Sequence, residues 1–246
     1  MKHSKKICLL ALLAMACSVN TFAQGFASFD VEGSLFKSSI KNIKTGPSKV
    51  EVIVGNDVDL KNVKFKYKLL SACRLEDKID KNFTSPQKVE ISKNATSKDW
   101  TILVKKLQPA TLPLDISFSN DDPSIYNSST KGWVTFNTDE GKPQVVRFGN
   151  SDVSFLVAFD GEAKDVSYDL KVVGAKGTEF DGKFEVSASP DGKNWNTIVT
   201  YDSKTPFSTD NSFTNELESD VRFVKWTYVT REKQNVNLNN IIVSPK

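Results

Sequence analysis

Between residues 184 and 195 the chain reads F-E-V-S-A-S-P-D-G-K-N-W, and this stretch limits the fold more than any other. Phe184, Val186 and Ala188 alternate with Glu185 and Ser187, the period-two pattern of a strand with one buried face. Pro190, Asp191 and Gly192 follow. They supply a fixed φ, a side-chain acceptor and a residue that accepts positive φ, which together make a turn. Trp195 then opens a return strand. Residues 222–243 answer this unit: Val224, Trp226 and Tyr228 fall on one face, and residues 241–243 form a closing apolar strand. Alternation of this kind cannot serve a helix, whose faces repeat every 3.6 residues.

The same grammar runs through the chain. Short runs rich in Val, Ile, Phe and Thr are punctuated by Asn, Asp, Gly and Ser, and no window sustains a capped helical period. The expected fold class is all-β, with no helix longer than about three turns. Val50, Val52 and Val54 alternate with Glu51 and Ile53, and Trp100, Ile102 and Val104 mark another core face. Val63, Phe65, Tyr67 and Leu69 alternate with Lys64, Lys66 and Lys68. The lysines read as the solvated face of a strand that discourages edge-to-edge association.

Residues 1–23 read as a secretory signal. Lys2, Lys5 and Lys6 form a basic start, residues 7–16 an apolar run, and Thr21-Phe22-Ala23 a cleavage site before Gln24. The apolar run is too short to span a bilayer. The expectation is an exported protein with its mature start at Gln24 or Gly25, in the periplasm, on the outer surface or outside the cell. The competing reading makes Cys17 in A-M-A-C a lipidated N-terminus.

Loss of that segment changes the chemistry left to the chain. Its 33 basic and 30 acidic residues become 30 and 30, a neutral balance without the electrostatic footprint of nucleic-acid or anionic-membrane binding. Cys73 is the one cysteine left, so no intrachain disulfide forms. The sole histidine, His3, is also lost. Histidine-based triads and zinc sites are thereby excluded.

Length and pattern place two β-sandwich domains in residues 24–108 and 114–246, with 109–113 as a stiff proline-bearing linker. Charge divides at the same place: residues 24–109 carry 16 basic and 10 acidic side chains, and residues 110–246 carry 14 and 20. The segment with L-L-S-A-C-R, K-V-E-I and K-D-W-T-I-L-V resembles the Ig-like modules at the front of secreted surface proteins of glycan-foraging Gram-negative bacteria. It lacks the D-G step common there, having residues 92–97 instead. The later half, through S-P-D-G-K-N-W, R-F-V-K-W-T-Y and N-V-N-L-N-N-I-I-V, resembles the galactose-binding-like jelly rolls of discoidin and carbohydrate-binding-module type. That resemblance implies a non-catalytic module for glycans or glycoproteins. Family members often close on L-D-D-I, where this chain has Asn239 and Asn240.

Sugar-binding modules stack pyranose rings on exposed aromatic side chains. The candidate ligand-binding residues are therefore Trp133, Tyr201, Phe207 and Trp195, with Tyr201 and Phe207 expected on an exposed rim. Trp226 reads as core. No cofactor is expected. The carboxylate pairs Asp121–Asp122, Asp139–Glu140 and Glu179–Asp181 show no recognised metal-loop spacing, so a metal is left undetermined and structural calcium open. Two alternatives compete with glycan binding: a structural or adhesive surface protein with a protein partner, and a glycoside hydrolase using paired carboxylates.

Overall fold

The computed structural model describes residues 24–117, 133–136, 145–209 and 211–246, with residues 133–136 described by their backbone alone. The signal-like segment 1–23 and the acidic pairs Asp121–Asp122 and Asp139–Glu140 lie outside the described residues. Within them every regular element is a strand, and the chain is all-β. No helix among the described residues is long and apolar enough to cross a membrane.

In the N-terminal sandwich, β1 (Phe26–Val31) pairs antiparallel with β4 (Phe65–Leu69). Facing this ribbon is a five-stranded sheet of β2 (Ser39–Lys41), β3 (Ser48–Val54), β7 (Thr96–Lys106), β6 (Gln87–Lys93) and β5 (Arg74–Leu75), in that order. The alternation read from sequence sets the faces: Val50, Val52, Val54, Trp100, Ile102 and Val104 are buried. Phe26 meets Trp100 edge-on at 5.4 Å, and the Trp100 indole N–H donates to the Gln24 carbonyl at 3.2 Å.

The C-terminal sandwich packs two larger sheets. One runs β10 (Trp133–Phe136), β12 (Val153–Asp160), β17 (Phe223–Thr230), β14 (Lys183–Ser189) and β15 (Asn196–Tyr201). The other runs β11 (Val146–Phe148), β18 (Asn235–Pro245), β13 (Ala163–Val173) and β16 (Asn211–Glu216), with β9 (Leu114–Ile116) also on β18. The two stretches that dominated the sequence become neighbours: in β14 and β17, Phe184 lies opposite Tyr228 and Val186 opposite Trp226. Trp226 is fully buried, 5.4 Å from Tyr168 and 5.9 Å from Phe155. Gly182 is required just before β14, because a Cβ there would lie 2.4 Å from the Thr230 carbonyl oxygen.

The sandwiches touch through a cluster of their own. In β12 even the outward residues Leu156 and Ala158 are buried, and they pack with Leu107, Leu35, Phe36, Ile53, Trp195 and Phe223. That explains why residues 153–159, V-S-F-L-V-A-F, are apolar almost throughout: both faces of the strand are covered. Residues 109–113 do not hang free either, since β8 (Ala110–Thr111) pairs in parallel with Phe159 and Asp160.

Candidate ligand-binding surface

The S-P-D-G-K-N-W turn is built around Asp191. Its carboxylate accepts from the Asn194 and Lys193 backbone N–H groups, each at 2.8 Å, from the Asn194 side chain at 2.7 Å, and from the Ser189 hydroxyl at 3.0 Å. These bonds, the Asn194 N–H foremost, hold the Asp191 carboxyl well below the usual carboxylate range. A depressed folded pKa adds stability above the unfolded value near 3.9 and loses it as pH falls further. Asp191→Asn is therefore expected to melt below the parent at pH 7, with the gap narrowing below about pH 4. Thermal melts across pH check this, and a gap constant down to pH 2 would contradict it.

The turn aims Trp195 at the N-terminal sandwich. Its indole N–H donates to the Gly192 carbonyl at 3.2 Å, its ring lies 6.5 Å from Phe223, and the Lys225 ammonium sits 3.9 Å from the ring centroid. Burial pushes the Lys225 pKa down, against the pull of Glu185. Next to this contact, Lys193 pairs with Asp57 across the junction at 3.3 Å. Trp195 is half-buried in the packing between sandwiches, not presented to a ligand.

Tyr201 and Phe207 also depart from expectation, because both are buried rather than on a rim. Tyr201 ends β15 opposite Phe184, and its hydroxyl lies 3.0 Å from that of Tyr168, which donates to Asn215 at 2.8 Å. Desolvation raises the pKa of both phenols, so they remain neutral hydrogen-bonding groups. The Asp202 carboxylate then accepts from the Lys204 and Thr205 N–H groups, and this turn folds Phe207 back onto Phe180, stacked at 4.5 Å. Trp133 lies in β10 opposite Val157 of β12. Its side chain and the neighbouring loops are outside the described residues.

The aromatic ring that is exposed lies elsewhere. Among the described residues, Tyr67 is the one aromatic side chain in the exposed class, at 40%. It stands on β4, whose one partner among the described residues is β1. Phe29 and Phe65 lie nearly parallel to it, each with its centroid 6.4 Å away, at interplanar angles of 15° and 26°. The flanking Lys64, Lys66 and Lys68 are exposed, and a depression of about 420 Å³ lined by Asp30, Glu32, Lys64, Phe65 and Lys66 opens beside the strand. Lys64 reaches Glu32 at 3.4 Å. The arrangement offers a ring fixed in orientation on the face of β4 that also carries Phe65, with the lysines on the opposite face.

No grouping of three or more His, Cys, Asp or Glu side chains suited to a metal occurs among the described residues. At the closing N-N step, Asn240 adopts φ of 48° and donates its amide to Asp169 at 2.6 Å. Asparagine tolerates this left-handed conformation, which accompanies a register shift between Ser167 and Asp169 on β13.

No protein-family model matches the chain, and no curated protein does. Solved structures show a distant likeness to it. A glycoside hydrolase candidate from Bacteroides thetaiotaomicron is 9% identical with a TM-score of 0.45, over 93% of this chain and 98% of that one. The K1 cleaved adhesin domain of Lys-gingipain from Porphyromonas gingivalis is 15% identical with a TM-score of 0.37, over 54% and 98%. A family 32 carbohydrate-binding module from a family 31 glycoside hydrolase of Clostridium perfringens is 15% identical with a TM-score of 0.33, over 52% and 87%. Likeness of this grade is descriptive and assigns no ligand.

Proposed function

We propose that this protein is an exported, non-catalytic binding protein for glycans or glycoproteins, with Tyr67 as the stacking platform. The reading rests on one observation: an exposed aromatic ring, alone in that class among the described residues, held nearly parallel to two neighbours on an edge strand. A pyranose presents an apolar C–H face that stacks on such a ring, while its hydroxyls bond nearby charged groups. Because Phe29 and Phe65 already orient the ring, binding sacrifices little side-chain entropy. Export rests on residues 1–23 and implies a periplasmic, outer-surface or extracellular setting. The Ig-like and galactose-binding-like resemblances agree with a module of this kind.

An array of oligosaccharides and glycoproteins probed with the mature chain tests the proposal. Tyr67→Ala is expected to weaken the strongest interactions by at least tenfold, while Tyr67→Phe retains most of the affinity. A tenfold loss corresponds to about 1.4 kcal/mol, within reach of one stacked ring. If Tyr67→Ala binds as the parent does, the platform is refuted. If the parent binds protein partners in preference to any sugar, the adhesive alternative takes its place.

A further inference from the structure

Gln24 is tied into the N-terminal sandwich by its main chain as well as its side chain. Its carbonyl accepts from the Trp100 indole N–H at 3.2 Å and from the Asn42 side-chain amide at 3.4 Å. Its own side-chain amide donates to the Thr96 hydroxyl, which in turn donates to the Lys93 carbonyl at 3.0 Å. The next two residues are held as firmly. The Gly25 carbonyl accepts from the Leu70 N–H at 2.9 Å, and Phe26 is buried. A Cβ on Gly25 would lie 2.2 Å from the Trp100 ring, so the chain runs flat against the indole here.

These contacts restrict where the leader can be cut. Trp100 is 1% exposed, and the Gln24 carbonyl satisfies its indole N–H. A cut after Gln24 would remove that carbonyl and leave a buried donor unmatched, which is costly. A cut after Ala23, where Thr21-Phe22-Ala23 supplies the small-residue signal, keeps it. The exported chain then begins with glutamine, whose free α-amine and side-chain carboxamide stand within one residue.

We infer that Gln24 is a modification site, at which the mature N-terminus closes to pyroglutamate. The α-amino nitrogen attacks the side-chain Cδ, a C–N bond forms and the Cδ–Nε2 bond breaks. Nε2 leaves as ammonia, taking the proton that the α-amine gives up, so the step balances without any further reactant. The nucleophile is the neutral amine, and its surroundings favour that form. Asn42 links Gln24 to Lys98, whose ammonium donates to Asn42 Oδ1 at 2.6 Å. Residues 24–109 carry 16 basic against 10 acidic side chains. Nearby like charge disfavours an ammonium, and the lactam removes that charge altogether. The fold accommodates the ring. A ring through the backbone nitrogen fixes φ, as in proline, but a first residue has no preceding peptide for that torsion to direct. The carbonyl keeps both its partners, and the bond lost is the exposed one to Thr96. The inference rests on the leader reading that underlies export and is independent of the Tyr67 platform.

Intact mass spectrometry and N-terminal sequencing test it, on protein exported by a Gram-negative host that makes the full chain. The expected mass is that of residues 24–246 less one ammonia, with sequencing blocked. Denaturation and pyroglutamyl peptidase should then expose Gly25-Phe26-Ala27. Gln24→Ala keeps the main-chain carbonyl, so it should melt with the parent yet carry a free amine and sequence directly. The inference is overturned if the exported parent keeps a free Gln24 amine after prolonged incubation at about pH 8, where an α-amine is largely neutral. A start at Gly25 or a lipidated Cys17 would also overturn it. Lipidation would refute the cut after Ala23 as well, whereas a free Gln24 would leave that cut standing.

Discussion

Replacing Trp226 by alanine is expected to remove a large share of the stability of the C-terminal sandwich. The ring is fully buried between Phe155 and Tyr168, at the centre of a core shared by both sheets. Large-to-small changes at such sites cost about 3–5 kcal/mol, through lost burial and the cavity left behind. Domain stabilities are typically about 5–15 kcal/mol, so this is a large share. Trp226→Phe should cost much less. The indole Nε1 is buried without a hydrogen-bond partner among the described residues, so phenylalanine forfeits volume but no polar contact. Denaturant titration followed by near-ultraviolet circular dichroism reads both variants. Equal midpoints for alanine and parent would place Trp226 outside the core.

Leu156→Lys is expected to separate the two sandwiches while leaving each folded. Leu156 is fully buried against Leu107, Ala158 and the side chains from the N-terminal sandwich, but it points away from the C-terminal core. Lys225 stands directly opposite Leu156 in register, so an added ammonium is buried beside a like charge, and an unpaired buried charge costs several kcal/mol. Undocking returns it to water, the cheaper outcome. The variant should show a larger radius of gyration by solution scattering, two separated melting transitions and faster proteolysis within residues 107–113. A single transition with parent dimensions would mean that the junction does not hold the sandwiches together.

Particular residues show what was legible in the sequence. The faces of β3, β7, β14 and β17 were, because period-two alternation reports directly which side of a strand is buried. Trp226 read as core for that reason. The junction was not, although it left a trace: residues 153–159 are too uniformly apolar for a strand with one wet face. Trp195 belongs to that junction, and its environment depends on where another sandwich docks, which no local window contains. Tyr201 and Phe207 were misread because Y-D-S-K-T-P-F looks like an exposed loop. Tyr201 is in fact the last residue of β15, and the Asp202 turn returns Phe207 to the core. The opposite error hid Tyr67. Its alternation with lysines predicts a buried ring, but a strand with a partner on one side leaves its outermost ring partly uncovered, and periodicity carries no information about edges.

The central claim, that the protein holds a glycan on the exposed ring of β4, is tested most directly by nuclear magnetic resonance. The isotope-labelled mature chain would be titrated with the oligosaccharide bound most strongly on the array. The account predicts saturable shifts at the β4 amides and at the Tyr67 ring protons, with intermolecular contacts from that ring to sugar C–H groups. Shifts that leave β4 silent and map to another surface would contradict it.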